Sequence, residues 1–256
     1  MDNRNIYITG DCHGNFDKIA SFCREYHTTR NDIMIILGDA GINFSNTLRD
    51  RIKKQCINSL PITLFCIHGN HEMRPTKVFD VTDYGEKTNK KSYHLKKWHG
   101  GKVYVESAFP SILFARDGEV FDLNGISTLV CGGAYSPDKP QRLANMWPWF
   151  PDEQPDNRIK RRVEKKIESL DWKVDVMLTH TIPSWYLPFL HLSPWPGIDR
   201  STEIWLDKIE NKLDYKKWYA GHFHVDMTIG KLEILIGTIE PFYGSLQSCF
   251  MNLEKK

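Results

Sequence analysis

Five short segments of this 256-residue chain gather the side chains best suited to chemistry: Gly10-Asp11-Cys12-His13, Gly38-Asp39-Ala40-Gly41, Gly69-Asn70-His71-Glu72, Thr179-His180 and Gly221-His222-Phe223-His224. Half of the ten histidines, His13, His71, His180, His222 and His224, fall in them. Each segment follows an apolar, strand-like run. In open α/β sheets ligands bind beyond the carboxyl ends of strands, so the five segments are expected to meet at one rim. Aspartate, histidine and asparagine converging at one place are the donors of a metal site. A lone histidine of this kind reads as a satisfied structural residue, but that reading leaves the repeated placement unexplained.

The elements that must position these residues are legible in the hydrophobic pattern. The runs "IYITG", "IMIILG" and "TLFCIHG" are short, rich in β-branched and aromatic residues, and end in glycine. Between the first two, Phe16, Ile19, Ala20, Cys23 and Tyr26 recur at helical spacing, with Asn15 placed to cap the helix. Leu48, Ile52, Cys56 and Leu60 repeat the pattern between the second and third. This β-α-β-α-β order predicts a parallel sheet with covering helices. The middle of the chain is strand-like, with turn signals at Asp117-Gly118 and Asn124-Gly125. Ile159, Val163, Ile167 and Leu170 then mark an amphipathic helix whose charged side is a solvated face. Strands return in "VDVMLTH", "KWYAGHFH" and "KLEILIG". No linker or repeat divides the chain, so residues 1–256 are expected to form a single domain.

Composition narrows the function classes. With 41% hydrophobic and 26% charged residues and a net charge of +2, the chain reads as globular, with no global field that would imply nucleic acid or membrane. No apolar run approaches the roughly 20 residues of a spanning helix. The first residues lack the apolar stretch of a secretory signal, so a cytoplasmic location and no membrane partner are expected. Six scattered cysteines without paired spacing read as reduced thiols. Side chains alternate along a strand, so Asp11 and His13 should point to one side and Cys12 to the other as a spacer.

The ordered blocks D-x-H, G-D-x-x, G-N-H-[DE], a lone histidine and G-H-x-H, here running from Asp11 to His224, resemble the signature of the calcineurin-like metallophosphoesterases. The resemblance implies an α/β fold with a two-sheet β-sandwich core of mixed strands flanked by helices, four αββα layers in all. It implies a hydrolase with two divalent metal ions, manganese first, with iron, zinc or nickel as alternatives. Asp11, His13 and His224 would bind the first ion, Asn70, His180 and His222 the second, and Asp39 would bridge both. Such an enzyme cleaves a phosphomonoester or phosphodiester by attack of a metal-bridging hydroxide, with His71 as the general acid. The charge balance agrees: two dications against two aspartates leave a doubly positive site for a phosphate. The substrate would be a phosphorylated small molecule, a nucleotide or a phosphoprotein.

Departures from relatives sharpen the reading. The phosphoprotein phosphatase branch extends its second block to G-D-x-x-D-R-G, whereas this chain has "GDAGINF". Both an acid that orients the catalytic histidine and an arginine that grips phosphate are missing at those positions. Arg74 and Arg142 are candidates to replace the arginine, since a guanidinium binds phosphate bidentately. The stretch from Lys139 to Asp156, with Trp147, Trp149 and Phe150 outside any helical or strand period, is expected to be a lid or specificity loop, on which a nucleobase could stack. "GGAYS" with the following "DKP" and arginine and an aromatic-Pro-Asp-Glu segment resembles a bacterial and phage subset of the family. Seven lysines between Arg74 and Lys102 read as a solvated connection, with an electropositive approach for a polyanion as the alternative. The competing functions are a nuclease or a nucleotide or dinucleoside polyphosphate hydrolase on the same fold, and a non-catalytic interaction scaffold. A scaffold would have lost ligands or the histidine, and every one is present.

Overall fold

The computed structural model describes residues 4–191 and 197–244. In chain order the elements are β1 (Ile6–Thr9), α1 (Asp17–Glu25), β2 (Ile33–Ile36), α2 (Leu48–Asn58), β3 (Thr63–Cys66), β4 (Phe79–Val81) and β5 (Lys87–Lys91). There follow β6 (Tyr93–Trp98), β7 (Gly101–Glu106), β8 (Ile112–Ala115), β9 (Val120–Leu123), β10 (Ile126–Cys131), α3 (Lys139–Ala144) and α4 (Asn157–Glu168). The last are β11 (Val176–Thr179), α5 (Ser201–Glu210), β12 (Lys217–Ala220), β13 (Met227–Ile229), β14 (Leu232–Ile234) and β15 (Ile239–Pro241).

Two sheets carry the fold. One runs β15-β1-β2-β3-β8-β7-β6 and the other β13-β14-β12-β11-β10-β9, with β4 and β5 as a separate pair. Each sheet has a parallel centre (β1, β2, β3, β8; β14, β12, β11, β10) and antiparallel flanks. The central strands are buried on both faces, which is why they read as continuous apolar runs and not as alternations. Ile6, Ile8, Ile35 and Phe65 of the first sheet meet Phe121, Val130, Val176 and Leu178 of the second in one inner core. Tyr7, Met34, Ile36 and Leu64 face the other way, onto Ile19 and Cys23 of α1 and Ile57 of α2. Met177 and Trp218 pack outward against Ile159, Val163 and Ile167 of α4 and Leu206 of α5. The layers are therefore helix, sheet, sheet, helix, and the expected parallel β1-β2-β3 order and four-layer α/β sandwich are both found.

Local differences have physical causes. The expected apolar face of α2 is not its buried face: Ile52 is 50% exposed and Cys56 is exposed, while Asp50, Lys54 and Ile57 are buried. Asp50 accepts the amides of Ser45 and Asn46, and the Lys54 ammonium pairs with Glu106 of β7, so paired polar groups turn the helix. Asn124-Gly125 makes the β9-β10 hairpin with both residues at positive φ, whereas Asp117-Gly118 carries the chain from the first sheet into the second. Residues 139–144, expected outside any helical period, form α3. The seven lysines between Arg74 and Lys102 are exposed, and five of them lie on β5 and the edge strand β6, where lysine also discourages edge-to-edge pairing. Cys12, Cys23, Cys56, Cys66 and Cys131 are free thiols, and Cys249 lies outside the described residues. Among the described residues no helix is long and apolar enough to cross a membrane.

Candidate metal centre

The parallel strands of both sheets end at one rim, and all eight residues singled out above lie there. Asp11 and His13 follow β1, Asp39 follows β2, Asn70 and His71 follow β3, His180 follows β11, and His222 and His224 follow β12. One expectation needs correction. Asp11 and His13 stand beyond the last residue of β1, and His13 has φ +46°, so strand alternation does not orient them. The bend nevertheless sends Cys12 to the outer core beside α1. Burial and the Asp11 carboxylate push its thiol up to about 12, far from a nucleophilic thiolate. Cys12→Val is therefore expected to keep metal content and turnover; loss of both in a folded variant would restore a ligand role to the thiol.

The donors cluster tightly. Within three trios, Asp11 with His13 and His224, Asp11 with Asp39 and His180, and His13 with Asp39 and His71, the donor atoms lie within 4.8 Å of one another. His13 Nε2 and His224 Nε2 are 3.0 Å apart, and His224 Nε2 is 3.3 Å from Asp11 Oδ2. Asn70 Oδ1 is 2.8 Å from His180 Nε2 and 3.0 Å from His222 Nδ1. Asp39 Oδ2 stands 3.6 Å from His180 Nε2 and 3.9 Å from His71 Nδ1.

Surrounding hydrogen bonds aim these atoms. His180 Nδ1 donates to the Leu37 carbonyl at 2.7 Å, which turns the Nε2 lone pair toward the cluster. Asn70 Nδ2 donates to Ser136 Oγ at 2.9 Å, and Ser136 Oγ donates to buried Glu153 at 2.6 Å, so the amide oxygen of Asn70 faces inward. Asp11 Oδ1 accepts the His222 amide at 3.0 Å, and Asp39 Oδ1 accepts the His71 amide at 2.8 Å.

The electrostatics fit a cation. Burial works against a charged imidazole at His180, but Asp39 and Asp11 outweigh it and raise the group to about 9. Burial likewise opposes charge on Asp39, yet His180 and His71 hold its carboxyl well below the usual range. Asp11 Oδ2 is buried without a hydrogen-bond partner. Paired buried carboxylates that draw a proton onto a fully buried histidine, and an orphaned oxygen facing imidazole nitrogens, are what an all-nitrogen-and-oxygen site for divalent ions presents.

Backbone geometry records the same demand. His13, Asp39, His222 and His224 have φ of +46°, +47°, +71° and +51°, a region non-glycine residues seldom occupy and one concentrated at functional sites. The glycines of the blocks make room for donors from other blocks. A Cβ on Gly69 would stand 2.0 Å from Asp39 Oδ1, and one on Gly221 would stand 2.3 Å from Asp11 Oδ1.

The two arginine candidates separate. Arg74 turns away from the cluster: its Nη1 pairs with buried Asp117 at 2.6 Å and its Nε donates to the Asp152 carbonyl at 2.7 Å. Asp117→Ala, which leaves that guanidinium buried and unpaired, is expected to cost about 3–5 kcal/mol in a denaturant midpoint measurement. An unchanged midpoint would mean that the pair contributes nothing. Arg142 instead reaches the centre, with Nη2 3.0 Å from His71 Nδ1 and Nε 2.7 Å from Asp138 Oδ2. A cavity of about 420 Å³ opens beside the cluster, lined by Asn70, His71, Tyr135, Asp138, Arg200 and Phe223 among others. No residue of the 139–156 stretch lines it, and Phe150 is buried, so the stretch meets the site through Arg142 against His71 and Glu153 beneath Ser136 and not as the expected lid. Ser136, Asp138 and Glu153 had not been singled out. The available signal was a sixth strand end: β10 runs into "GGAYSPD" at the same rim.

The model of the calcineurin-like phosphoesterases matches residues 4–226, which contain all of these residues. No curated protein gives a significant match. Among solved structures, the protein TT1561 of Thermus thermophilus is 12% identical with a TM-score of 0.49, the match covering 91% of this chain and 88% of that one. A Staphylococcus aureus protein assigned as a 5′-nucleotidase, in complex with alpha-ketoglutarate, is 10% identical with a TM-score of 0.38, the match covering 91% of this chain and 48% of that one. With its signature blocks gathered at one rim of a four-layer α/β sandwich and the family model spanning residues 4–226, the chain belongs to the calcineurin-like phosphoesterases, metal-dependent hydrolases of phosphoric ester bonds.

Proposed function

We propose that this chain is a dinuclear phosphoesterase that hydrolyses an organic phosphate ester directly, without a covalent intermediate. The observation that carries the reading is the convergence of eight nitrogen- and oxygen-bearing side chains from five strand ends beside an open cavity. Asp11, His13 and His224 would hold one ion, Asn70, His180 and His222 the other, with Asp39 shared. When bound, two divalent cations supply charge that stabilises the phosphoryl oxygens and lowers the pKa of an attacking water; manganese, iron, zinc or nickel suits these donors.

The remaining steps belong to the chain's own residues. His71 borders both the cluster and the cavity, within reach of the leaving oxygen of a bound ester. As water adds to phosphorus and the P–O ester bond breaks, the His71 imidazolium gives its proton to that oxygen. Burial pulls the His71 pKa below its ordinary value, so the imidazolium is the stronger acid but a smaller fraction of the ring carries the proton at neutral pH. Arg142, beside the His71 ring, is the guanidinium placed to meet phosphate oxygens.

A second reading, a nucleotide or dinucleoside polyphosphate hydrolase, draws support from the cavity wall, where Tyr135 and Phe223 offer aromatic faces and Arg200 a cation. One experiment separates the readings. The chelated and metal-reconstituted protein is assayed on p-nitrophenyl phosphate, bis-p-nitrophenyl phosphate, mononucleotides, dinucleoside polyphosphates, phosphopeptides and single-stranded DNA. Metal-dependent turnover of at least one ester is expected, and a preference for nucleotides would select the second reading. No turnover at full metal occupancy would overturn both.

A further inference from the structure

The acid that orients the catalytic histidine in the phosphoprotein phosphatase branch has no counterpart in "GDAGINF". We infer that Asp138, from a different part of the chain, positions His71 in this protein. The inference rests on the reading of His71 as the proton donor.

Asp138 is the residue immediately before α3, two positions beyond the Ser136 that orients Asn70. Its two carboxylate oxygens have different surroundings. Oδ2 accepts Nε of Arg142 at 2.7 Å, one helical turn away. Oδ1 is buried, has no hydrogen-bond partner, and lies 3.5 Å from His71 Nε2. Anchoring Arg142 needs only one oxygen. A buried carboxylate oxygen left without a donor is unfavourable, and a proton on His71 Nε2 is within reach of it. A small rotation of either side chain closes that bond.

The arrangement fixes more than a distance. With Nε2–H given to Asp138, His71 Nδ1 is the nitrogen turned to the donor cluster, 3.9 Å from Asp39 Oδ2. Its own amide is held by Asp39 Oδ1, so backbone and ring are tied from opposite sides. Arg142 completes the frame: Nη1 donates to the Pro148 carbonyl at 2.9 Å, and Nη2 lies 3.0 and 3.1 Å from the two ring nitrogens. That guanidinium alone would repel a protonated imidazole, and the Asp138 carboxylate beside both groups offsets the repulsion. During turnover the P–O bond breaks, the proton passes from His71 Nδ1 to the leaving oxygen, and the Nε2–H to Asp138 bond keeps the ring in place.

The test uses leaving groups. A phenyl ester needs its departing oxygen protonated far more than a p-nitrophenyl ester does, because p-nitrophenolate leaves readily as an anion. The metal-loaded wild-type and Asp138→Asn proteins are compared on the phenyl and p-nitrophenyl esters of whichever class, mono- or diester, the wild type hydrolyses. Asp138→Asn is expected to lower kcat for the phenyl ester by up to ~10²-fold, with a loss about tenfold smaller for the p-nitrophenyl ester and metal content unchanged. In a His71→Asn background the same substitution is expected to add nothing, because the two residues act as one unit. Equal losses on both esters, or a full additional loss in the His71→Asn background, would overturn the positioning role while leaving the phosphoesterase reading intact. A wild type inert on every ester would overturn both. Should Asp138→Asn not fold, Asp138→Ser carries the same comparison.

Discussion

Asp39→Asn is expected to lose about three orders of magnitude in kcat, together with part of its bound metal. The substitution keeps the size of a side chain that is only 2% exposed and keeps an acceptor for the His71 amide, so the local fold has little reason to change. What it removes is one of two buried negative charges facing His180, in the position proposed to be shared by both ions. A metal ion contributes several kcal/mol of transition-state stabilisation, and each ~1.4 kcal/mol is a factor of ten, so weakening a shared ligand is felt in both rate and occupancy. Metal analysis and kcat on the preferred ester measure the two effects. In the chelated protein the same variant should melt lower than wild type, since it takes one of two buried carboxylates away from the charged, buried His180. Full occupancy with undiminished kcat would remove Asp39 from the shared position.

His71→Ala is expected to separate binding from chemistry. His71 is adjacent to Asn70 in sequence, but its ring faces Asp138 and Arg142 as well as Asp39, so its removal leaves the seven proposed ligands in place. Loss of a general acid costs ~10²–10⁴-fold, and the loss should be largest for esters with poor leaving groups. Metal content close to wild type with kcat reduced in that range is the expected pair of results. Wild-type turnover in a metal-loaded variant would end the proton-donor role.

Much of this was legible before any coordinates. The strands β1, β2 and β3 and the helices α1 and α4 follow from apolar spacing because their buried faces are made almost wholly of hydrophobic side chains. The eight candidate residues were legible for a related reason: each sits at the end of an apolar run, where the hydrophobic pattern breaks. The face of α2 was not legible, because Asp50 and Lys54 are buried through partners at Ser45, Asn46 and Glu106 that spacing along one helix does not reveal. The roles of Arg74 and Arg142 were equally open until their partners were seen. One guanidinium faces Asp117 and the other faces His71, and nothing in the neighbouring residues distinguishes them.

The sequence by itself determined the inventory: which residue types, in which order, at which strand ends, and hence a metal-dependent phosphoesterase sandwich. Only the tertiary structure decided how the inventory is held. It brought Asn70 of the first sheet within 2.8 Å of His180 from the second, 110 residues later, and supplied Asp138 where the second block lacks an acid. The physical reason is that hydrophobic periodicity is local and repeats along the chain, whereas hydrogen bonds and charge pairs across a rim join residues whose separation in sequence carries no period. Burial can be read from a pattern, but a partner can be read only from a place.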